Sequence, residues 1–556
     1  MSAGAWCSTS KAHERAPAGR SMTFAVPDRS RWCLPVLLAE QAQAHGDRPF
    51  LSFALGEGEL TYGDAAGTAD IVAAGLAQLG VGRGDRVLLM LRNRAEFVLA
   101  WLGAARLGAV QVPINVDYRG HFLEHLANTT EASVLIVEDV FLDAVAASSE
   151  RLEHLRVAVV VGESSPLPGR IETVAFTSLL DHGSLSPPTV APSDTGAIHF
   201  TSGTSGRSKG AVLPHAHLHL LSERNRELLD LRPGDTYLTE LPLFHINAQM
   251  SVYSALLVGA RVRIEQRFSA SGWLDRVRTS NATHTSLLGV MLSFILKQEP
   301  RAEDADNRLR RAWSVPCPPD LAGAFRERFG LEQVVTSYGS TEVGMVARRT
   351  LDAPPGSVGR VDPDLYTARV VDENEEDVPA GEVGELLVRP LLPWTTTQGY
   401  FGMPERTLDA FRNLWFHTGD AARLDEDGNL WFVDRIKDRI RRRGENIASV
   451  DVESVLTEHP AIADAAVVAV PADEAGGEDE IKAVVVAATG ATLDASQVWD
   501  WCDANLPYFA VPRYVEILPE LPKTPTAKVL KNELREAGIT PGTHDRGASR
   551  SGGGRR

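Results

Sequence analysis

The segment FTSGTSGRSKG, residues 200–210, concentrates groups that bind an anion. It supplies three glycines (Gly203, Gly206, Gly210), five hydroxyls (Thr201, Ser202, Thr204, Ser205, Ser208) and two cations (Arg207, Lys209). Glycine lets backbone N–H groups curl around a negative charge, hydroxyls donate to phosphate oxygens, and cations neutralise charge. The spacing is not GxxxxGK[ST], so this is no Walker A loop. Ala197-Ile198-His199 precedes it and Ala211-Val212-Leu213 follows. That setting predicts a loop between two extended segments rather than a Ser/Gly-rich surface linker. The stretch also contains Gly206-x-Ser208-x-Gly210, the spacing of a hydrolase nucleophile elbow. Such an elbow needs a helix directly after the serine, and AVLPH reads as extended, which argues against a hydrolase.

The elements that must hold this loop alternate from about Leu34 to Gln266. AGTADIVAAGLAQLG (66–80) and EFVLAWLGAARLG (96–108) read as helices, and DRVLLML (85–91) and AVQVPIN (109–115) as buried strands. Apolar strands between helices predict a parallel sheet covered on both faces. ARVRIEQ, GWLDRVRTS, THTSLLG and VMLSFILKQ repeat the pattern further on. From about 356 to 433 short strands such as TARVVDEN and GELLVRP predict a small antiparallel sheet or barrel. Past DRIKDRIRRRGENI (434–447), with its six Lys or Arg, come helix (about 450–458), strand (462–470), strand (481–487), helix (494–505) and strand (513–518). Asp494 and Gln497 have capping-box spacing. By itself the basic run at 437–443 reads equally as a solvated helix end or as a patch for phosphates.

FTSGTSGRSKG resembles the phosphate-binding signature of the adenylate-forming enzymes: acyl-CoA synthetases, firefly-type luciferases and peptide-synthetase adenylation domains. LPLFHINAQ (241–249), SYGSTEVG (337–344), GEVGELLVRP (381–390), WFHTGD (415–420), DRIKDRIRRRGENI (434–447) and LPKTPTAKVLK (521–531) match further family segments in the family's order. The resemblance runs from about Leu34 to Ile539. It implies an α/β fold: a large N-terminal domain of parallel-rich sheets flanked by helices, with a small β-barrel-like part, and a small mobile α+β C-terminal domain. The expected division is an extension at 1–33, a large ATP- and acyl-binding domain at 34–434 (its β-rich subdomain 356–433), the small domain at 435–540 and a disordered tail at 541–556. LPYFAVPRYVEIL (506–518) is similar to the bacterial carnitine/crotonobetaine-CoA ligase-like branch.

The resemblance implies an ATP-dependent acyl-CoA ligase. A carboxylic acid attacks the α-phosphate of ATP, pyrophosphate leaves, and the acyl-adenylate passes its acyl group to coenzyme A. Thr201, Ser202, Gly203, Thr204, Ser205, Gly206 and Lys209 would hold phosphates. Glu342 would bind Mg²⁺, a hard cation suited to a carboxylate, with Thr341 beside the α-phosphate. Tyr338 would lie against adenine, and Asp420 and Arg435 would take the ribose. Lys528 would be the catalytic lysine of adenylation, Lys437 the hinge of the small domain, Gly444 part of the loop presented for thioester formation, and His245 the gate of the channel. The acyl pocket is expected among 244–249, 288–290 and 337–339, a set that suggests an apolar acyl group. Rival readings are an enzyme that loads a separate acyl carrier protein, and a member with impaired adenylation that mainly forms the thioester.

Three positions depart from the family pattern. Ser208 stands where proline is usual, Ala527 where glycine is usual, and Ser314-Val315-Pro316 where small residues approach adenine. The formal net charge of −17 disfavours nucleic acid as a partner. Four scattered cysteines, with no CxxC pair, fit a reduced cytoplasmic setting. No run of 18 or more apolar residues predicts a membrane span. The partners expected are the small-molecule acid and CoA; pairing into a homodimer is left open.

Overall fold

A computed structural model describes residues 29–54, 58–184, 188–201, 208–315, 317, 319–349, 353–435, 439–442, 445–472, 479–522, 529 and 531–547. VAVVV at Val157–Val161 and VLIVE at Val134–Glu138 are buried at every position, as strands covered on both faces must be. They belong to a seven-stranded sheet in the order Glu172–Ala175, Val157–Val161, Val134–Glu138, Arg86–Met90, Val110–Pro113, Thr195–Thr201, Lys209–Pro214. All neighbours are parallel except the final pair.

A second seven-stranded sheet runs Gln333–Val335, Arg311–Ser314, His284–Leu287, Thr236–Thr239, Arg261–Ile264, Pro49–Phe53, Glu59–Thr61, antiparallel only at its last pair. Side chains from both sheets and from the helices Tyr62–Gln78, Ala95–Leu107 and Ile246–Val258 form one apolar core. The first of these helices starts at a capping box in which Thr61 and Asp64 bond each other's backbone N–H groups. It meets its neighbour closely: a Cβ on Gly103 would lie 2.6 Å from Val72 Cγ1. Glycine at that point lets the two helices approach. Trp273 anchors the second sheet's outer helices, edge-on to Phe325 and Phe329 at 5.2 and 5.0 Å.

The β-rich part is an open antiparallel sheet rather than a barrel-like unit. Its seven strands run Ser337–Ser340, Gly344–Arg348, Gly359–Val361, Asn429–Arg435, Phe416–Leu424, Gly384–Pro390, Tyr366–Val371. The two end strands sit at opposite edges. The sheet also begins before residue 356, because SYGSTEVG folds back on itself as a hairpin.

In the small domain the strands Ile462–Pro471, Asp479–Ala487, Tyr514–Leu518 and Thr543–Asp545 form one sheet. The helices Ser449–Thr457 and Ala495–Asn505 cover it around Val467, Val485, Val498 and Val515. The capping box of Asp494 and Gln497 is present.

Two expectations and one of two open readings are corrected. Composition places residues 543–545 in a disordered tail, yet they pair with Tyr514–Glu516, and Arg546 forms an ion pair with Asp503 at 2.5 Å. Backbone pairing and charge decide there, not low complexity. Residues 548–556 lie outside the described residues. At the other end, Trp32 and Cys33 belong to the fold rather than to an extension: both are buried, and Trp32 stacks on His219 at 5.2 Å. Finally, the described part of the basic run is no helix end. Arg439–Arg442 is a strand in a hairpin with Glu445–Ala448.

Among the described residues, no helix is long and apolar enough to cross a membrane.

Candidate active site

Thr195–Thr201 and Lys209–Pro214 pair antiparallel, with Thr201 opposite Lys209. The anion-binding motif therefore starts and finishes at adjacent points, at the C-terminal end of a parallel strand, where open α/β sheets bind ligands. Ser202, Gly203, Thr204, Ser205 and Gly206 lie outside the described residues. The described ends of the motif converge on Glu342. Thr201 Oγ1 donates to Glu342 Oε1 at 2.9 Å, and Tyr400 Oη donates to the same oxygen at 3.2 Å. The Lys209 ammonium stands 4.3 Å from the centre of the Tyr400 ring.

The backbone behind Glu342 is fastened as well. Its carbonyl accepts from Thr397 N at 2.7 Å and Thr396 Oγ1 at 2.9 Å. His217 Nε2 lies 3.0 Å from the Thr341 carbonyl and Nδ1 lies 2.9 Å from the Thr395 carbonyl. Burial holds this imidazole below its ordinary pKa, although both carbonyls favour the charged form. No motif flagged Tyr400, His217 or the Thr395–Thr397 turn. They act through the tertiary fold and have no signature of spacing.

Tyr338 and Asp420 meet directly. Tyr338 Oη donates to Asp420 Oδ2 at 2.6 Å, with both residues buried. The hairpin that carries Tyr338 is tight: a Cβ on Gly339 would fall 2.0 Å from the Gly344 carbonyl oxygen, so no larger residue fits there. Trp313 Nε1 donates to Ser337 Oγ at 3.0 Å and ties this hairpin to the second parallel sheet. Phe432 stacks towards Tyr338 with centroids 6.3 Å apart and remains 43% exposed, an open aromatic face beside the pair. Backbone register sets Arg435 opposite Asp420. Of the stretch expected to crowd adenine, Ser314 is fully buried and Val315 packs on the large core; Pro316 lies outside the described residues.

His245 caps the N-terminus of the helix Ile246–Val258, and the small domain reaches it there. Glu445 Oε1 is 3.0 Å from His245 Nε2 and 3.5 Å from Asn115 Nδ2. Burial works against the charged imidazole, but the charge and hydrogen bond of Glu445 outweigh it and raise the pKa above the usual value. Tyr118 and Phe122 of the large domain pack against the small domain's core, with Tyr118 6.5 Å from Phe509. Sequence does not single out Asn115; Glu445 belongs to the loop 444–447 expected to serve thioester formation, but its contact with His245 has no signature in the sequence. Behind His245, His199 is buried and its pKa is pushed down to about 3, mainly by burial. Of the residues expected around the acyl group, Ala248 and Gln249 are buried, and Gln249 exchanges amide hydrogen bonds with Gln111.

Ser208 does not act as a hydrolase nucleophile would. Its hydroxyl donates to the Asp451 carboxylate, and the nearby His125 bonds its carbonyl rather than Oγ. A strand follows it, as AVLPH indicated. Lys437, Gly444 and Lys528 lie outside the described residues.

Residues 38–401 match the model of the AMP-binding enzyme family, and residues 451–528 that of the AMP-binding enzyme C-terminal domain. The chain belongs to the AMP-binding, adenylate-forming enzyme family. It is 32% identical over 508 residues to the crotonobetaine/carnitine–CoA ligase of Salmonella paratyphi C, covering 89% of this chain and 97% of that one. Among solved structures it is similar to the o-succinylbenzoate CoA synthetase of Bacillus subtilis, as a double mutant bound with its product analogue OSB-NCoA. The TM-score is 0.77 at 25% identity, covering 90% of this chain and 98% of that one. The same enzyme in complex with AMP gives a TM-score of 0.63 at 25% identity and the same coverage. These homologues and neighbours are acyl-CoA ligases and CoA synthetases, acid–thiol ligases that form AMP.

Proposed function

We propose that this chain converts a carboxylic acid and ATP to acyl-adenylate and pyrophosphate, and then the adenylate and CoA to acyl-CoA and AMP. The observation that carries the second half is the small domain's Glu445 seated on His245, the residue expected to gate the channel. In this reading that placement is the thioester-forming one. The higher likeness to the synthetase bound with a product analogue, 0.77 against 0.63 for its AMP complex, supports it. Adenylation then requires the small domain to turn and present Lys528, so that two reactions share one site in sequence.

The roles follow from charge. Joining a carboxylate to a triphosphate brings anions together, and the protein's task is to position them and stabilise charge. The signature residues 201–206 and Lys209 hold phosphates. The Tyr338–Asp420 pair and Arg435 hold the nucleoside. Lys437 is the pivot and Gly444 lies in the loop presented to the thiol. Glu342 suits Mg²⁺, since its oxygen is already ringed by hydroxyl oxygens and a hard cation favours oxygen ligands. A bound Mg²⁺ would offset the charge of the phosphates. The relative that acts on crotonobetaine and carnitine makes a small acid the first class to try. A cytoplasmic setting belongs to the same reading, which the unpaired Cys33, Cys317 and Cys502 support.

Mass spectrometry of products from a panel of acids with ATP and Mg²⁺, with and without CoA, tests this. Acyl-CoA and AMP are expected with at least one acid. Acyl-adenylate that accumulates with no thioester would replace CoA by a separate acyl carrier protein. Thioester from supplied adenylate, without pyrophosphate release from ATP, would mark a chain confined to the second half-reaction.

A further inference from the structure

Ser208 lies at the junction of the two domains. Its hydroxyl donates to Asp451 Oδ2 at 3.3 Å, and both residues are buried, 7% and 6% exposed. Its carbonyl accepts from His125 Nε2 at 3.0 Å, and Thr129 Oγ1 lies 3.4 Å from His125 Nδ1. Because a carbonyl can only accept, Nε2 carries a proton and donates to Ser208. His125 meets Phe200 edge-on at 6.2 Å, so this face of the large domain is fixed by packing as well as by hydrogen bonds.

Asp451 comes from the other side. It stands in the first turn of Ser449–Thr457, the helix that follows the strand bearing Glu445. One continuous piece of the small domain thus makes two polar contacts with the large one: Glu445 to His245 and Asn115, and Asp451 to Ser208. A proline at position 208 would have no hydroxyl and could not make the second contact. The serine therefore has a partner that proline would lack; at 3.3 Å the bond is longer than usual for O–H···O, and its burial rather than its length gives it weight. Ser208 also directly precedes Lys209, so the contact joins the small domain to the phosphate-binding motif.

We propose that Ser208 and Asp451 are positioning residues, whose hydrogen bond stabilises the thioester-forming placement of the small domain in this chain. The pair touches no reacting atom. It acts by favouring one placement over the other, so its loss slows acyl transfer and does not slow adenylate formation. This rests on the functional reading above.

The test uses the full chain with Asp451→Ala, Ser208→Ala, the double variant and Ser208→Thr. Single-turnover transfer from preformed acyl-adenylate to CoA is measured beside ATP–pyrophosphate exchange. Asp451→Ala is expected to slow transfer several-fold, the effect of losing a long hydrogen bond to a charged group, without slowing exchange. Ser208→Ala should slow transfer equally, the double variant should be no worse than either single, and Ser208→Thr should keep the wild-type rate. Equal losses in both half-reactions of Asp451→Ala, or additive losses in the double variant, would overturn the proposal while wild-type thioester formation stands. Wild-type chain that makes adenylate but no thioester would overturn the functional reading, and the proposal with it.

Discussion

Replacing Glu445 by Gln removes one charge from the contact that seats the small domain on His245. The carboxylate is 3.0 Å from the ring nitrogen, with the histidine side chain 41% exposed and the glutamate 18%. A fully exposed pair at that distance contributes up to about 1 kcal/mol, and a charged hydrogen bond out of water about 1.5–3 kcal/mol. This half-exposed pair falls between, at about 1–2 kcal/mol, roughly a 5–30-fold bias towards the docked placement. The bias depends on pH with a definite sign. Docking raises the His245 pKa, so the contribution is complete below the ordinary imidazole value of 6.5 and fades as pH rises through the raised value. The assay is single-turnover acyl transfer from preformed adenylate to CoA, wild type against Glu445→Gln, over about pH 5–8, where imidazoles titrate. Taking the ratio removes the thiol's own pH dependence, which both proteins share. The wild-type advantage should be largest at acid pH and shrink with rising pH, while ATP–pyrophosphate exchange shows no such trend. A ratio that stays flat across the range, or one that grows with pH, refutes the reasoning.

Lys528→Ala should abolish adenylation and leave transfer from preformed acyl-adenylate largely intact; unchanged adenylation would remove Lys528 from the mechanism. Tyr338→Phe keeps the ring but takes the hydroxyl from Asp420. The KM for ATP should rise about tenfold, with weaker discrimination against deoxynucleotides, and kcat should change little. Trp273→Ala opens a cavity beside Phe325 and Phe329 and should lower stability by about 3–5 kcal/mol in urea unfolding.

The parallel sheets were legible because their strands are uninterrupted runs such as VAVVV, and burial on both faces leaves such runs few other places to go. The extended segments on either side of residues 202–207 were legible because apolar runs flank the glycine- and hydroxyl-rich stretch. The short strands of the β-rich part leave sheet and barrel both open, and only the resemblance implies a barrel-like part, because strand order is a long-range property. The hairpin at 337–348 joins it from outside the stretch whose composition changes. Tyr400 and His217 were missed for a related reason. Each completes the surroundings of Glu342 or Thr341 from a segment with no pattern of its own. Glu445 shows the intermediate case: the segment was visible, but its partner His245 is 200 residues away in the chain. Ser208 stands out in the sequence as a motif hydroxyl, as the serine of a rejected elbow and as a departure from the family pattern, but its partner Asp451 is 243 residues further on.

The strand Thr543–Asp545 carries a practical consequence for anyone shortening the chain. Its backbone covers one side of Tyr514–Leu518, whose other side is taken by Asp479–Ala487. A truncation at residue 541, which the Gly/Arg/Ser-rich composition invites, removes none of the described residues that build the candidate site. It strips a row of N–H and C=O groups bare, and bare strands template pairing with other molecules. The damage from such a clone would show first as self-association during concentration and storage, with turnover per monomer intact, and could be mistaken for poor expression of a sound enzyme.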